Sequence, residues 1–104
     1  MPVDELKGHL DLVLLSVLVG APAHGYALIE EIRERSDGVF DLPEGSVYPA
    51  LYRLEAAGLL SSRWTTASGR RRRTYRLTAK GKRKLERERG EWRQFSQTMS
   101  EVVA

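Results

Sequence analysis

The sequence predicts a mostly α chain with one two-stranded β-hairpin, in the order three short helices, hairpin, long C-terminal helix. Three observations carry this. Apolar residues recur at helical spacing in three stretches before residue 60. From Leu60 to Leu77 the period becomes two, interrupted once by Ala67-Ser68-Gly69-Arg70. After Thr78 the helical period returns, and Leu85, Trp92 and Met99 lie seven apart.

The first helix is expected from about Glu5 to Val19, with Asp4 as N-cap. Leu6, Leu10, Val13, Leu14, Val17 and Leu18 repeat at helical spacing, and Leu12, Leu15 and Val19 cover much of the remaining circumference. A helix apolar nearly all round packs on more than one side. Gly20-Ala21-Pro22-Ala23 reads as a turn. The second helix is expected from about His24 to Ser36, with Tyr26, Ile29 and Ile32 inward and His24 at its N-terminus. Asp37-Gly38 stops it. The third runs from Pro43 to Leu60. Ser46 is its expected N-cap, which places Pro49 in the first turn, where a missing N–H does no harm. Gly58 ends it. Val47, Leu51 and Leu54, with Gly58, share one side; Gly45, Pro49, Tyr52, Arg53 and Ala56 share the other. In the hairpin, Leu60, Ser62 and Trp64 alternate with Ser61, Arg63 and Thr65, and Arg73, Tyr75 and Leu77 with Arg72, Thr74 and Arg76. Thr78 caps the last helix, expected to run to Val102. Leu85, Trp92 and Met99, joined by Phe95 and Val102, form a short coiled-coil seam that Glu88 interrupts.

Composition narrows the function. A chain of 104 residues, 41% hydrophobic, builds one modest core that oligomerisation would reinforce. Without cysteine there is no disulfide framework, thiolate nucleophile or cysteine metal site. Neither a phosphate-binding G-x-x-x-x-G-K nor a metalloprotease H-E-x-x-H occurs, and no placed nucleophile–base pair is evident. An enzyme is not expected, nor a metal or cofactor. The N-terminal M-P-V-D-E-L-K does not read as a signal peptide, and the apolar run from Leu12 to Val19 is too short to span a membrane, so a cytoplasmic protein is expected. Charge is segregated: residues 1–60 carry four Lys/Arg against ten Asp/Glu, residues 61–104 thirteen against four. A basic second half is the footprint of a chain that meets a polyanion.

Three helices followed by a hairpin make a winged helix-turn-helix. There the third helix enters the major groove of double-stranded DNA and the wing contacts phosphates or the minor groove. Ser46, Tyr48, Pro49, Tyr52 and Arg53 are the candidates on the helix, with Tyr48 at the edge of that face, where it reads either the groove or the wing. Arg70, Arg71, Arg72 and Arg73 are the candidates on the wing. Residues 1–77 thus form the expected DNA-binding unit and residues 78–104 a dimerisation helix. The expected homodimer interface comprises Leu6, Leu10 and Leu14 of the first helix and Leu85, Trp92, Phe95, Met99 and Val102 of the last. A winged helix that serves only as a protein-interaction module is the alternative; four consecutive arginines on the wing argue for DNA.

The segments L-K-G-H-L-D-L-V-L-L-S-V-L near the start, H-G-Y-A-L at 24–28, G-S-V-Y-P-A-L-Y-R-L-E at 45–55, G-L-L at 58–60 and Y-R-L-T-A-K-G at 75–81 stand out. Together they resemble the PadR family of bacterial transcription regulators. The short C-terminal part resembles the smaller subfamily that dimerises through a single final helix. The resemblance implies a homodimeric repressor on an inverted-repeat operator, with the first and last helices building the dimer. It further implies that a planar aromatic effector could bind beside Trp92, which stands where some members carry a ligand-stacking tryptophan. Plain dimer packing also accounts for Trp92, and is favoured over a dedicated ligand platform.

Overall fold

The computed structural model describes residues 6–104. A 3-10 turn, Lys7–His9, leads into α1, Leu10–Leu18. There follow β1, Ala23–His24; α2, Gly25–Arg35; α3, Glu44–Ala56; β2, Leu60–Ala67; β3, Arg70–Leu77; and α4, Ala79–Val103. The winged helix-turn-helix with a long C-terminal helix is therefore present. Its sheet has three antiparallel strands in the order β1-β3-β2, not two. The extra strand pairs Ala23 with Tyr75 and His24 with Thr74. Two residues are too short to show a period, so this strand was invisible in the pattern.

The core gathers one face of every helix against the sheet. Leu14 and Leu15 of α1, Leu28 of α2, Val47, Leu51 and Leu54 of α3, Leu60 and Tyr75 of the sheet and Leu85 of α4 are all fully or almost fully buried. Three expectations change here. Tyr26 is half exposed, and Leu28 fills the inward position instead. The first helix is broken at Gly8-His9 rather than continuous; its expected cap at Asp4 and start at Glu5 lie outside the described residues. Leu6, Leu14 and Leu85 are core residues of the single chain, with almost no surface left for a partner.

The junction between α3 and α4 is tightly built. Gly58 has φ +79°, Leu59 N–H donates to Leu54 O and Gly58 N–H to Glu55 O, the paired bonds of a glycine helix stop. Carbonyls left over at that end are met from α4: Thr78 Oγ1 donates to Gly58 O at 2.7 Å and Lys80 Nζ to Ala57 O at 2.8 Å. Thr78 in turn caps α4 by accepting from Gly81 N–H at 3.0 Å. Gly81 packs directly on the backbone carbonyl of Leu59, with no room for a Cβ. The junction of α3 with α4 thus rests largely on backbone contacts, with Thr78 and Lys80 meeting the leftover carbonyls.

No helix among the described residues is long and apolar enough to cross a membrane. None of their His, Asp and Glu side chains cluster in threes that could hold a metal ion.

Candidate nucleic-acid interface

The exposed side of α3 and the wing flank one cleft of about 290 Å³. The helix supplies Tyr48 and Tyr52, ring centroids 6.5 Å apart. Tyr52 is half exposed, while Tyr48 leans on Gly25 at the start of α2, where an added Cβ would lie 2.6 Å from the ring. Pro49 lies outside, on the same exposed side. Helix α3 begins earlier than its sequence suggests, with Pro43 as N-cap and no side-chain cap. Ser46 is therefore the third helical residue rather than the cap, and Pro49 the sixth. Pro49 thus removes one ladder hydrogen bond, to the exposed Gly45.

Arg53 is placed differently from the expectation. Its guanidinium grips Asp11 of α1 with two hydrogen bonds, 2.7 and 3.1 Å long. The hydrogen bond and charge of Asp11 raise its pKa further. It lies outside the cleft, and its solvent-exposed ion pair links α3 to α1. Position 53 falls on the edge of the exposed arc, and α1 supplies a carboxylate there that spacing along α3 alone does not reveal.

The wing turns through Ser68 and Gly69, both at positive φ, so Ala67 pairs with Arg70 and Trp64 with Arg73. Arg70 sits at the tip. Arg71 and Arg73 lie over the ring of Trp64, with guanidinium carbons 5.0 and 5.9 Å from its centroid. Arg73 also donates from Nε to Ser62 Oγ at 2.7 Å and stands 3.5 Å from the Glu55 carboxylate. Arg72 reaches His24, 3.4 Å from Nδ1. That same nitrogen accepts from Ala27 N–H at 3.2 Å, so His24 caps α2 as a neutral ring. Burial, then the Arg72 charge, lower its pKa and favour this form. Beneath the cleft the Tyr75 hydroxyl is buried without a hydrogen-bond partner, and burial pushes it up to about 12.

Outside this cleft, α4 carries Trp92, Phe95, Met99 and Val102 exposed along one stripe. Trp92 meets its own chain's His9 edge-on at 5.1 Å and Phe95 at 6.1 Å. Both rings border an apolar cleft of about 400 Å³ with Leu12, Val13 and Phe40. Leu10 is half-buried against the core.

Residues 14–87 match the transcriptional regulator PadR-like family. The chain belongs to the PadR-like transcriptional regulators. The fold of this PadR-like chain agrees: a transcriptional regulator from Clostridium thermocellum superposes with TM-score 0.88 at 28% identity, covering 97% of this chain and 99% of that one. A PadR family transcription regulator from Clostridium difficile gives 0.83 at 35% identity, covering 92% and 99%. The transcriptional regulator Rv3488 of Mycobacterium tuberculosis is 39% identical over 66 residues, 64% of this chain and 59% of that protein.

The structure gives the PadR-like motifs physical work. The glycine of H-G-Y makes room for Tyr48, and T-A-K-G docks α4 on the end of α3. Sequence reasoning missed the cleft positions of Trp64 and Tyr75 and the Arg72 contact of His24. For Trp64 the signal was present: a two-residue turn at Ser68-Gly69 sets it opposite Arg73.

Proposed function

We propose that this PadR-like regulator is a cytoplasmic homodimeric repressor that binds an inverted-repeat operator in double-stranded DNA. The observation that carries the reading is the shared cleft: an exposed helix face bearing Pro49 and Tyr52 adjoins a wing carrying four arginines. In this reading Ser46, Tyr48, Pro49 and Tyr52 approach base edges, and Arg70 to Arg73 contact phosphates. Arg53 braces α3 through Asp11. Residues 1–77 bind DNA and residues 78–104 dimerise, with the first turn of α4 anchored in the DNA-binding body. Trp92, Phe95, Met99 and Val102 supply the dimer surface, flanked by Leu10.

The test is a gel-shift with DNA upstream of the protein's own gene against random duplex. Tyr52→Ala is expected to weaken the upstream DNA more than random duplex, by about 1–3 kcal/mol, the worth of a good base contact. Arg70→Ala is expected to weaken both alike and to lower the salt slope by about one unit if one phosphate contact is lost. A wild-type chain that shifts neither DNA supports the interaction-module reading instead.

A second reading concerns control. The apolar cleft bordered by Trp92 and Phe95 supports binding of a planar aromatic effector, which would stack on Trp92. Such a molecule changes operator affinity only if it favours one spacing of the two α3 helices over another.

A further inference from the structure

Trp64 is 54% exposed on the wing and contributes nothing to the core. Its ring lies beneath the guanidinium groups of Arg71 and Arg73. Arg73 is fixed from three sides, by Ser62, Glu55 and the Trp64 ring. For Arg71 the ring is the one partner found among the described residues. Free arginine side chains on a hairpin tip lose rotamer freedom when a ligand orders them. Stacking on Trp64 removes much of that freedom before any ligand arrives.

The guanidinium groups border the cleft between α3 and the wing, together with Arg72. Opposite them stand the phenols of Tyr48 and Tyr52, and below lies the Tyr75 hydroxyl, a buried donor lacking an acceptor. Its raised pKa keeps the proton on that oxygen. Two carboxylates act on the lining of the cleft: Glu44, beside Tyr48, and Glu55, which is already shared between Ser62 and Arg73. Three guanidinium groups and the tyrosine hydroxyls outweigh two carboxylates, one of them engaged by Arg73, and make a site for a single compact anion.

We propose that the cleft between α3 and the wing seats one phosphate group of the DNA backbone, and that Trp64 is the positioning residue that aims Arg71 and Arg73 at it. This rests on the DNA-binding reading above and names the contact that sets the register of α3 against the wing. A phosphate held here is fixed relative to Tyr52 by the fold itself. The wing-tip Arg70, by contrast, is free to follow whatever phosphate lies nearest.

The experiment is a double-mutant cycle on binding to a random-sequence duplex, read by fluorescence anisotropy below every variant's melting temperature. Trp64→Leu is expected to weaken binding about five- to tenfold, the size of a lost cation–π organisation. Trp64→Phe, which keeps an aromatic face, is expected to retain most of the affinity. In an Arg71→Ala/Arg73→Ala background, Trp64→Leu is expected to cost nothing further, and that background is expected to lose about one unit of salt slope, not two. If Trp64→Leu is as costly without the two arginines as with them, Trp64 supports only the hairpin and the proposal falls. A loss of two slope units overturns the single seat. Failure of the wild-type chain to bind any duplex overturns the DNA reading and this proposal together; binding with an uncoupled Trp64 overturns the proposal alone.

Discussion

Replacing Phe95 and Met99 together with aspartate is expected to give a folded monomer whose affinity for DNA falls by on the order of 10²–10⁴-fold. The reasoning starts from exposure. Phe95 and Met99 are 53% and 46% exposed within one chain, so the change removes nothing from the protomer's core. Leu85, one heptad before Trp92, is 1% exposed and remains in place to hold α4 on the DNA-binding body. In a dimer the same two positions would bury four carboxylates across a twofold seam, with no basic partner on the stripe, and charges so placed are costly to desolvate. Each DNA-binding unit would then engage its half-site alone, losing the effective concentration that the other subunit provides. Sedimentation velocity with parallel anisotropy titrations measures both effects. A variant that still sediments as a dimer would place the interface elsewhere.

Gly81→Ala is expected to destabilise the fold by about 2–3 kcal/mol, a fall in melting temperature of roughly 10–20 °C. An alanine Cβ at this point would run into the Leu59 carbonyl, and the Leu77 side chain lies 3.1 Å from the same spot. Relief requires moving backbone, because Leu59 is fixed by its bond to Leu54 O and by Thr78 N–H. Helix propensity alone would give the opposite sign, since alanine is better than glycine by about 1 kcal/mol in a helix interior. Gly90 of the same helix separates the two effects. Nothing lies within 4 Å of a Cβ there, so Gly90→Ala is expected to stabilise α4. Thermal unfolding of the two variants should therefore shift in opposite directions. Equal shifts would mean that packing at the junction of α3 and α4 is not what the glycine serves.

The fold was legible because periods in this chain are unmixed. Three helical stretches, one change to period two and one return place every long element. What escaped were features set by contacts distant in sequence. Strand β1 is two residues long and exists only because β3 passes beside it. Arg53 lies on the edge of the α3 surface, and only the fold shows that Asp11 claims it. Leu85 shares the spacing of the seam and Leu6 and Leu14 the apolar face of the first helix, yet the winged body reaches them first and buries them. The start of α3 was misplaced because Ser46 looks like a cap, whereas Pro43, with extended backbone, already launches the helix. The arginine-rich wing was plain from the sequence. Its coupling to Trp64 needed the hairpin register, and the orphan hydroxyl of Tyr75 needed the packed core.

The most direct measurement of the central claim is a hydroxyl-radical footprint of the wild-type protein on DNA upstream of its own gene. Two α3 helices related by a twofold axis should protect two symmetric patches on one face of the duplex, about one helical turn, roughly 34–36 Å, apart. A single asymmetric patch, or uniform protection that random DNA shows equally, would contradict a dimer that reads an inverted repeat with α3.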